Sequence, residues 1–278
     1  MLAIDQRESL RTLLIAAGQG GSDDDLRAFK VAVARTLSPA ASGMLIDREY
    51  GLPAVAASGV LAPTCGLIVA VDRFTQPPGG ALEWSELDRA AMTGDLVARG
   101  ARALKFLVVW RPGDTPARRA GMVGDFVEGC RRLGLLSVLE GLVEVPGADA
   151  GDDVDAAILA AAREFALYRP DLYKTHVPTR GLGSRDEISK LSRQITDVLH
   201  CPWVVLSAGV PVDRFPGAVE AACVGGASGF LAGRGVWGPS IGQPRPEADL
   251  ATAALARFER LATIVDAHAR PWSEAVTP

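Results

Sequence analysis

Short apolar runs recur along the chain, separated by stretches in which apolar residues return every three or four positions. The runs predict strands at 1–5 (MLAID), 43–47 (GMLID), 66–72 (GLIVAVD), 103–110 (ALKFLVVW), 135–141 (LLSVLEG), 171–177 (DLYKTHV), 202–208 (PWVVLSA) and 228–233 (SGFLAG). The stretches between them predict helices at 23–37, 53–60, 84–99, 115–133, 152–168, 184–199 and 213–225, with an eighth at 249–268. Ser85 and Asp213 stand near predicted helix starts, and Gly100, Gly134 and Gly225 follow predicted ends. Strands alternating with helices imply parallel pairing through right-handed crossovers. Eight such units in about 250 residues fit a (β/α)8 TIM barrel. A doubly wound open sheet is the competing arrangement. The barrel is preferred because the count closes at eight and no GxGxxG follows the first strand. No composition shift marks a linker, so residues 1–278 are expected to form one barrel domain. The Gly/Pro-rich stretches QPPGGALEW (76–84) and TRGLGSRDE (179–187) each fall just after a strand and read as loops of the active face.

Composition narrows the class. A net charge of −4 with interspersed arginines leaves no nucleic-acid footprint. Four widely spaced cysteines, none in a CxxC pair, suit small buried residues in a reducing compartment. The chain reaches charge at Asp5, without the apolar region of a signal peptide, and no run has the length of a membrane helix. A cytoplasmic protein with no nucleic-acid or membrane partner is expected.

The strands carry the chemistry. Barrel strands are buried, so charge within them needs a reason. Strand 1 ends in Asp5, Gln6 and Arg7. Asp47 and Asp72 end strands 2 and 3. Lys105, Glu140 and Lys174 lie in strands 4, 5 and 6. Charges at carboxyl ends mark the catalytic face of a barrel. Asp47 and Asp72 also suit turn capping, and Lys105 or Lys174 could form structural salt bridges with Glu140 or Asp5. Lysine is scarce here, four of the 29 basic residues, which makes its placement in apolar runs informative. A buried lysine can lose its proton where arginine cannot. The free amine attacks a ketone or aldehyde to form a Schiff base, an electron sink suited to carbon–carbon cleavage. With Lys174 as nucleophile, Lys105 would help expose its free amine and polarise a substrate oxygen. Glu140 would shuttle protons, and Asp5 would orient hydroxyls or Lys105.

Small residues follow the last two strands in LSAGV (206–210) and LAGRGVW (231–237), where backbone N–H groups can approach an anion and Arg234 adds a bidentate donor. A phosphate site after strands 7 and 8 recurs in barrel enzymes. The chain has three histidines and no HxH or HExxH, so a zinc cluster, and with it a metal-dependent aldolase, is not expected. His176 shares the strand parity of Lys174 and could line the mouth of the pocket, with a structural histidine as the preferred reading.

MLAIDQRESLR, LIDREYGLPA, ALKFLVVWR, GLLSVLEGLV, DLYKTHVP, PWVVLSAGV and GASGFLAGRGVW resemble, in order, the class I aldolases that cleave tagatose 1,6-bisphosphate or 6-deoxy-6-sulfofructose 1-phosphate. ALKFLVVWR, PWVVLSAGV and GASGFLAGRGVW resemble the sulfofructosephosphate enzymes more, and IDREYGLPA the tagatose enzymes. The resemblance implies a barrel, a metal-free and cofactor-free Schiff-base mechanism, and dihydroxyacetone phosphate with a three-carbon aldehyde as products. It places the Schiff-base lysine on Lys174, supported by Lys105, Glu140 and Asp5. The phosphate end falls on Ser207, Gly209, Gly233 and Arg234, and the far sulfonate or phosphate end on Gln6 and Arg7. The partner implied is a small phosphorylated sugar, sulfonated on the closer branch, and a homo-oligomer is expected.

The chain departs from the pattern in three places. It starts on the first strand, where family members carry a short preceding segment. Gly141 and Glu144 stand where sulfosugar enzymes tend to have proline and a basic residue, and an acid there disfavours an anionic substrate. His176 stands where an acidic residue is common. A non-catalytic barrel that binds a phosphorylated metabolite, and another Schiff-base reaction such as that of a transaldolase or dehydratase, are the alternatives.

Overall fold

The computed structural model describes residues 1–77, 82–148 and 150–274. Positions 78–81 of the QPPGGALEW loop and the last four residues of the predicted domain lie outside that range. The strands are β1 (Leu2–Ile4), β2 (Gly43–Ile46), β3 (Gly66–Ala70), β4 (Asp72–Thr75), β5 (Trp84–Leu87), β6 (Ala101–Trp110), β7 (Leu136–Val143), β8 (Leu172–His176) and β9 (Trp203–Leu206). Seven of them form one parallel sheet in the order β1-β2-β3-β6-β7-β8-β9. The eighth predicted strand contributes single parallel bridges, Phe230 to Val205 and Ala232 to Leu2. Leu231 N donates to Val205 O at 3.0 Å and Ala3 N to Ala232 O at 2.8 Å, so this segment joins the two outer strands and closes the barrel. Trp237 Nε1 donates to Ala3 O at 2.8 Å across the same seam. Gly233 is required there, because a Cβ would run into Ala3 O.

The helices are α1 (Glu8–Ala16), α2 (Asp23–Leu37), α3 (Gly51–Ser58), α4 (Gly94–Ala98), α5 (Pro116–Leu133), α6 (Asp152–Ala166), α7 (Arg185–Val198), α8 (Phe215–Val224), α9 (Arg234–Trp237), α10 (Pro246–Asp249) and α11 (Leu255–His268). Capping boxes start α2 at Ser22 and α7 at Ser184. Gly134 ends α5 in the left-handed conformation at φ 66°. None of the helices among the described residues is long and apolar enough to cross a membrane.

One predicted helix, two predicted caps and one unpredicted helix mark the differences. The helix expected at 84–99 is instead β5, a turn and the short α4. Ser85 and Leu87 are buried while Glu86 is exposed, a period of two that pairs antiparallel with β4. Ser85 is therefore no helix cap; its hydroxyl accepts from Val109 N at 3.4 Å. Asp213 caps nothing either, since α8 starts at Phe215 behind Arg214 with proline in its first turn. Helix α1 lies where no helix was expected, with Leu10 and Leu14 buried one turn apart.

The period of two also sorts the sheet into faces. Ala3, Leu45, Ile68, Ala70, Ala103, Val138, Val204 and Leu231 fill the barrel interior. Their outward neighbours, such as Ile4, Val69, Leu104, Leu139, Tyr173 and Val205, pack under the helices. On that outer side Tyr173 lies 6.1 Å from the Phe165 ring, and its buried hydroxyl has no partner. A Cβ on Gly141 would collide with this hydroxyl and come within 3.1 Å of Cζ.

Overpacking of this kind costs about 1–3 kcal/mol. Gly141→Ala is expected to lower the unfolding free energy, measured by urea titration, by that amount. Tyr173→Phe removes an unsatisfied buried hydroxyl, and should be neutral or stabilising alone and recover part of the Gly141→Ala loss.

Candidate active site

Four strands change on their inward face from apolar to charged within one two-residue step. Asp5, Lys105, Glu140 and Lys174 stand two positions above Ala3, Ala103, Val138 and Leu172. All four charged residues are buried and line a cavity of about 380 Å3 at the carboxyl ends of the strands. That volume suits a small metabolite. Glu140 and Lys174 are register partners across β7 and β8.

Lys105 is the centre of the charge network. Its ammonium donates to Asp5 Oδ2 at 2.8 Å and Asp72 Oδ2 at 3.0 Å, and lies 3.0 Å from Glu140 Oε2. The same Glu140 oxygen is 3.0 Å from Lys174 Nζ. Neither Glu140 contact is aligned as a hydrogen bond. One carboxylate oxygen thus joins the two lysines. Burial opposes the Lys105 charge, but Asp5, Asp72 and Glu140 outweigh it and hold the ammonium above its ordinary value. Burial alone would raise the Asp5 carboxyl, and the charges of Lys105, Lys174 and Arg7 outweigh it and hold the group well below its ordinary value.

Asp72 carries more of the site than its position at a strand end suggested. Besides Lys105 it accepts from Leu107 N at 3.1 Å and from Arg7 Nη2 at 3.2 Å. Arg7 also stacks on Phe74, 4.7 Å from the ring centroid, and Phe74 lines the cavity. Gln6 Oε1 and Arg7 Nε are buried without hydrogen-bond partners, and both residues line the cavity. Asp47 lies elsewhere, paired with Lys30 at 2.6 Å.

Across the cavity stand Ser207, Gly233 and Arg234. The Ser207 hydroxyl accepts from Gly235 N at 3.1 Å, which ties the two glycine turns together. Among the described residues no carboxylate pairs with Arg234. Gly209 does not line the cavity. It takes φ +79°, and a Cβ there would come within 3.3 Å of Arg180 Cδ. Glu144 lines the cavity and is paired with Arg111. Arg111 also donates to Leu82 O at 3.0 Å and Glu83 O at 2.8 Å, fastening the chain before β5.

The sequence matches the DeoC/LacD family aldolase model over residues 1–238. The chain belongs to the DeoC/LacD aldolase family. Among curated relatives, tagatose 1,6-diphosphate aldolase 1 of Enterococcus faecalis is 28% identical over 269 residues, covering 86% of this chain and 80% of the relative. Tagatose 1,6-diphosphate aldolase 2 of the same organism is 29% identical, covering 99% and 91%. In fold, fructose-bisphosphate aldolase from Plasmodium falciparum superposes with a TM-score of 0.76 at 14% identity, covering 97% of this chain and 90% of that one. The enzyme from Slackia heliotrinireducens gives 0.60 at 16% identity, covering 88% and 78%. The barrel and the aldehyde-lyase class follow from the family.

The aldolase cavity has a neighbour that the sequence pattern did not single out. Arg180 sits in a run of left-handed residues, Thr179, Arg180 and Gly181 at φ 57°, 51° and 73°. Non-glycine residues rarely hold that conformation, and it concentrates at functional sites. The guanidinium meets His176 Nδ1 and donates to Val143 O at 3.2 Å. Burial first, then Arg180, pushes His176 well below its ordinary value, so the ring stays neutral. Glycine after a strand in TRGLG marked the loop but not the arginine. Among the described residues no group of three or more His, Cys, Asp or Glu is placed to hold a metal ion.

Because the folded state depresses Asp5, its contribution to stability is present above the unfolded value of about 3.8 and is lost as pH falls. Between about pH 5 and pH 2 the unfolding free energy of the wild-type protein should therefore fall more steeply than that of Asp5→Asn. Urea titrations at a series of pH values measure both slopes.

Proposed function

We propose that this aldolase cleaves a ketose 1-phosphate through a Schiff base on Lys174. The products are dihydroxyacetone phosphate and a three-carbon aldehyde, and neither a metal nor a cofactor takes part. The observation that carries this reading is the shared Glu140 oxygen, 3.0 Å from both Lys174 and Lys105 in a buried cavity. The Lys174 amine attacks the C2 carbonyl. Glu140, at hydrogen-bonding range, delivers the proton with which the carbinolamine hydroxyl leaves as water. The iminium then accepts the electrons of the C3–C4 bond as Glu140, now a carboxylate, takes the proton of the C4 hydroxyl and the aldehyde departs. Glu140 returns that proton to C3, and addition of water releases dihydroxyacetone phosphate and restores the amine. Three carboxylates favour the charged form of Lys105, so the role assigned to it is to fix Glu140 and Asp5. Ser207, Gly233 and Arg234 receive the phosphate, and the unpaired charge of Arg234 supports that assignment. Gly209 sets the turn beside Arg180 from behind the wall.

The far end of the substrate rests on Gln6 and Arg7; the buried Gln6 Oε1 has no hydrogen-bond partner, which supports a ligand contact, and Arg7 Nε meets only Glu49 Oε2 at 3.8 Å. We take 6-deoxy-6-sulfofructose 1-phosphate as the preferred substrate and sulfolactaldehyde as its aldehyde. Arg7 is already countered by Asp72, and Glu144 by Arg111, so the wall offers little net positive charge. A sulfonate brings one negative charge where a phosphate brings nearly two, and the weaker charge suits this wall. The names of the relatives favour the bisphosphate instead, with glyceraldehyde 3-phosphate as the aldehyde.

Borohydride reduction in the presence of dihydroxyacetone phosphate and EDTA should leave a reduced adduct on Lys174, located by peptide mass spectrometry. Lys174→Arg should give no adduct and lose turnover by about a thousandfold or more while still binding the phosphate. Ligand binding without any adduct in the wild-type protein would support a binding barrel and sink the aldolase reading. An adduct on Lys105 would exchange the two lysines.

Substrate choice is read from kcat/KM on the two sugars. The 6-sulfonate should be preferred, and Glu144→Gln should move the ratio toward tagatose 1,6-bisphosphate by several-fold to about tenfold. A wild-type preference for the bisphosphate would remove the sulfosugar assignment and leave the mechanism standing.

A further inference from the structure

We infer that Lys30, a buried lysine outside the cavity, is a positioning residue for the Schiff-base chemistry, acting through Asp5; this rests on the aldolase reading above. Lys30 lies on the apolar face of α2 among Leu26, Phe29, Val33 and Leu37, all of them buried. It is 0% exposed. Its Nζ donates to Ile4 O and Gln6 O, each at 2.7 Å, and pairs with Asp47 Oδ1 at 2.6 Å. Three acceptors surround one nitrogen, and only an ammonium has a proton for each.

The two carbonyls flank Asp5. At this point β1 has ended and α1 has not begun, so residues 5–7 have no regular ladder to hold them. Asp47 anchors the other end of the clamp. Its second oxygen accepts from Tyr50 N at 2.7 Å, and the carboxylate also accepts from Gly51 N at the start of α3. Lys30 therefore fastens the turn that delivers Asp5 to the rigid turn after β2. Asp5 passes the constraint on, through its 2.8 Å bond to Lys105, to Glu140 and Lys174. A buried ion pair kept only for stability is replaceable by apolar side chains at little or no cost. This one also supplies two directed bonds to main-chain carbonyls that an apolar side chain cannot make.

The test is a double-mutant cycle. Lys30→Met combined with Asp47→Asn removes both charges, so no buried ion is left unpaired. Misplacement of a catalytic group by about 1 Å costs up to about a hundredfold. The pair variant should unfold cooperatively and lose kcat by between about tenfold and a hundredfold, with little change in KM. Placed in an Asp5→Asn background, it should cause no further loss, because the group it positions is already gone. The same fold loss in both backgrounds, or an unchanged kcat, overturns the proposal. Should the pair variant fail to fold, Lys30→Arg goes through the same cycle with the same expected and overturning results, since its planar fork keeps the charge but cannot aim three N–H groups from one nitrogen. Borohydride trapping on the wild-type protein separates the two levels. No adduct overturns the aldolase reading and this proposal with it, whereas an adduct on Lys174 with an unaffected pair variant overturns this proposal alone.

Discussion

A single ammonium organises the top of this barrel. Lys105 reaches carboxylates that arrive after β1, after β3 and from β7; without it Asp5 and Asp72 would each lose their nearest buried cation, and Glu140 would keep Lys174 alone. Removing one member of a buried ionic cluster costs about 3–5 kcal/mol, because the partners stay behind uncompensated. The cluster is therefore a constraint on strand position as much as a store of energy. It draws the ends of β1, β3 and β7 toward one point, and Glu140 carries the constraint to Lys174 on β8. Arg7 extends it on the opposite side through Asp72.

Most of this arrangement could be read from the chain because two periodicities coincide. A strand residue faces the same side as its second neighbour, so a lysine two positions after a small apolar residue in a buried run points into the barrel. Charge in consecutive buried strands grouped Lys105, Glu140 and Lys174 toward one pocket, and the resemblance of DLYKTHVP and its companions to known aldolases placed roles on them. The family membership agrees with the resemblance at the level of aldolase chemistry.

The misses share a cause. Asp72 read equally as a turn cap and as a charge of the catalytic face, because its partners, Lys105, Leu107 and Arg7, are far from it in sequence. Arg180 is held by backbone geometry that a run of glycine-rich sequence only hints at. Residues 84–87 read as helix because an amphipathic stretch so short carries both periods, and pairing with β4 decided between them. Lys30 had a usable signal. It occupies an apolar position of α2, with Leu26 four residues before it and Val33 and Leu37 after it. A charge on that face predicts a buried partner, by the same reasoning that applies to the strand lysines.

The barrel is not equally strong around its circumference. Between β6 and β7 the ladder runs for eight register pairs, Ala103 with Leu136 through Trp110 with Val143. At the seam, residues 228–232 form no named strand, yet they make backbone hydrogen bonds to Met1 and Ala3 on one side and to Trp203 and Val205 on the other, and the Trp237 indole crosses to Ala3 O. The seam also divides the cavity wall, with Asp5 on one bank and Ser207 on the other. A ligand held by both banks rivets the barrel shut, so occupancy and resistance to unfolding rise together.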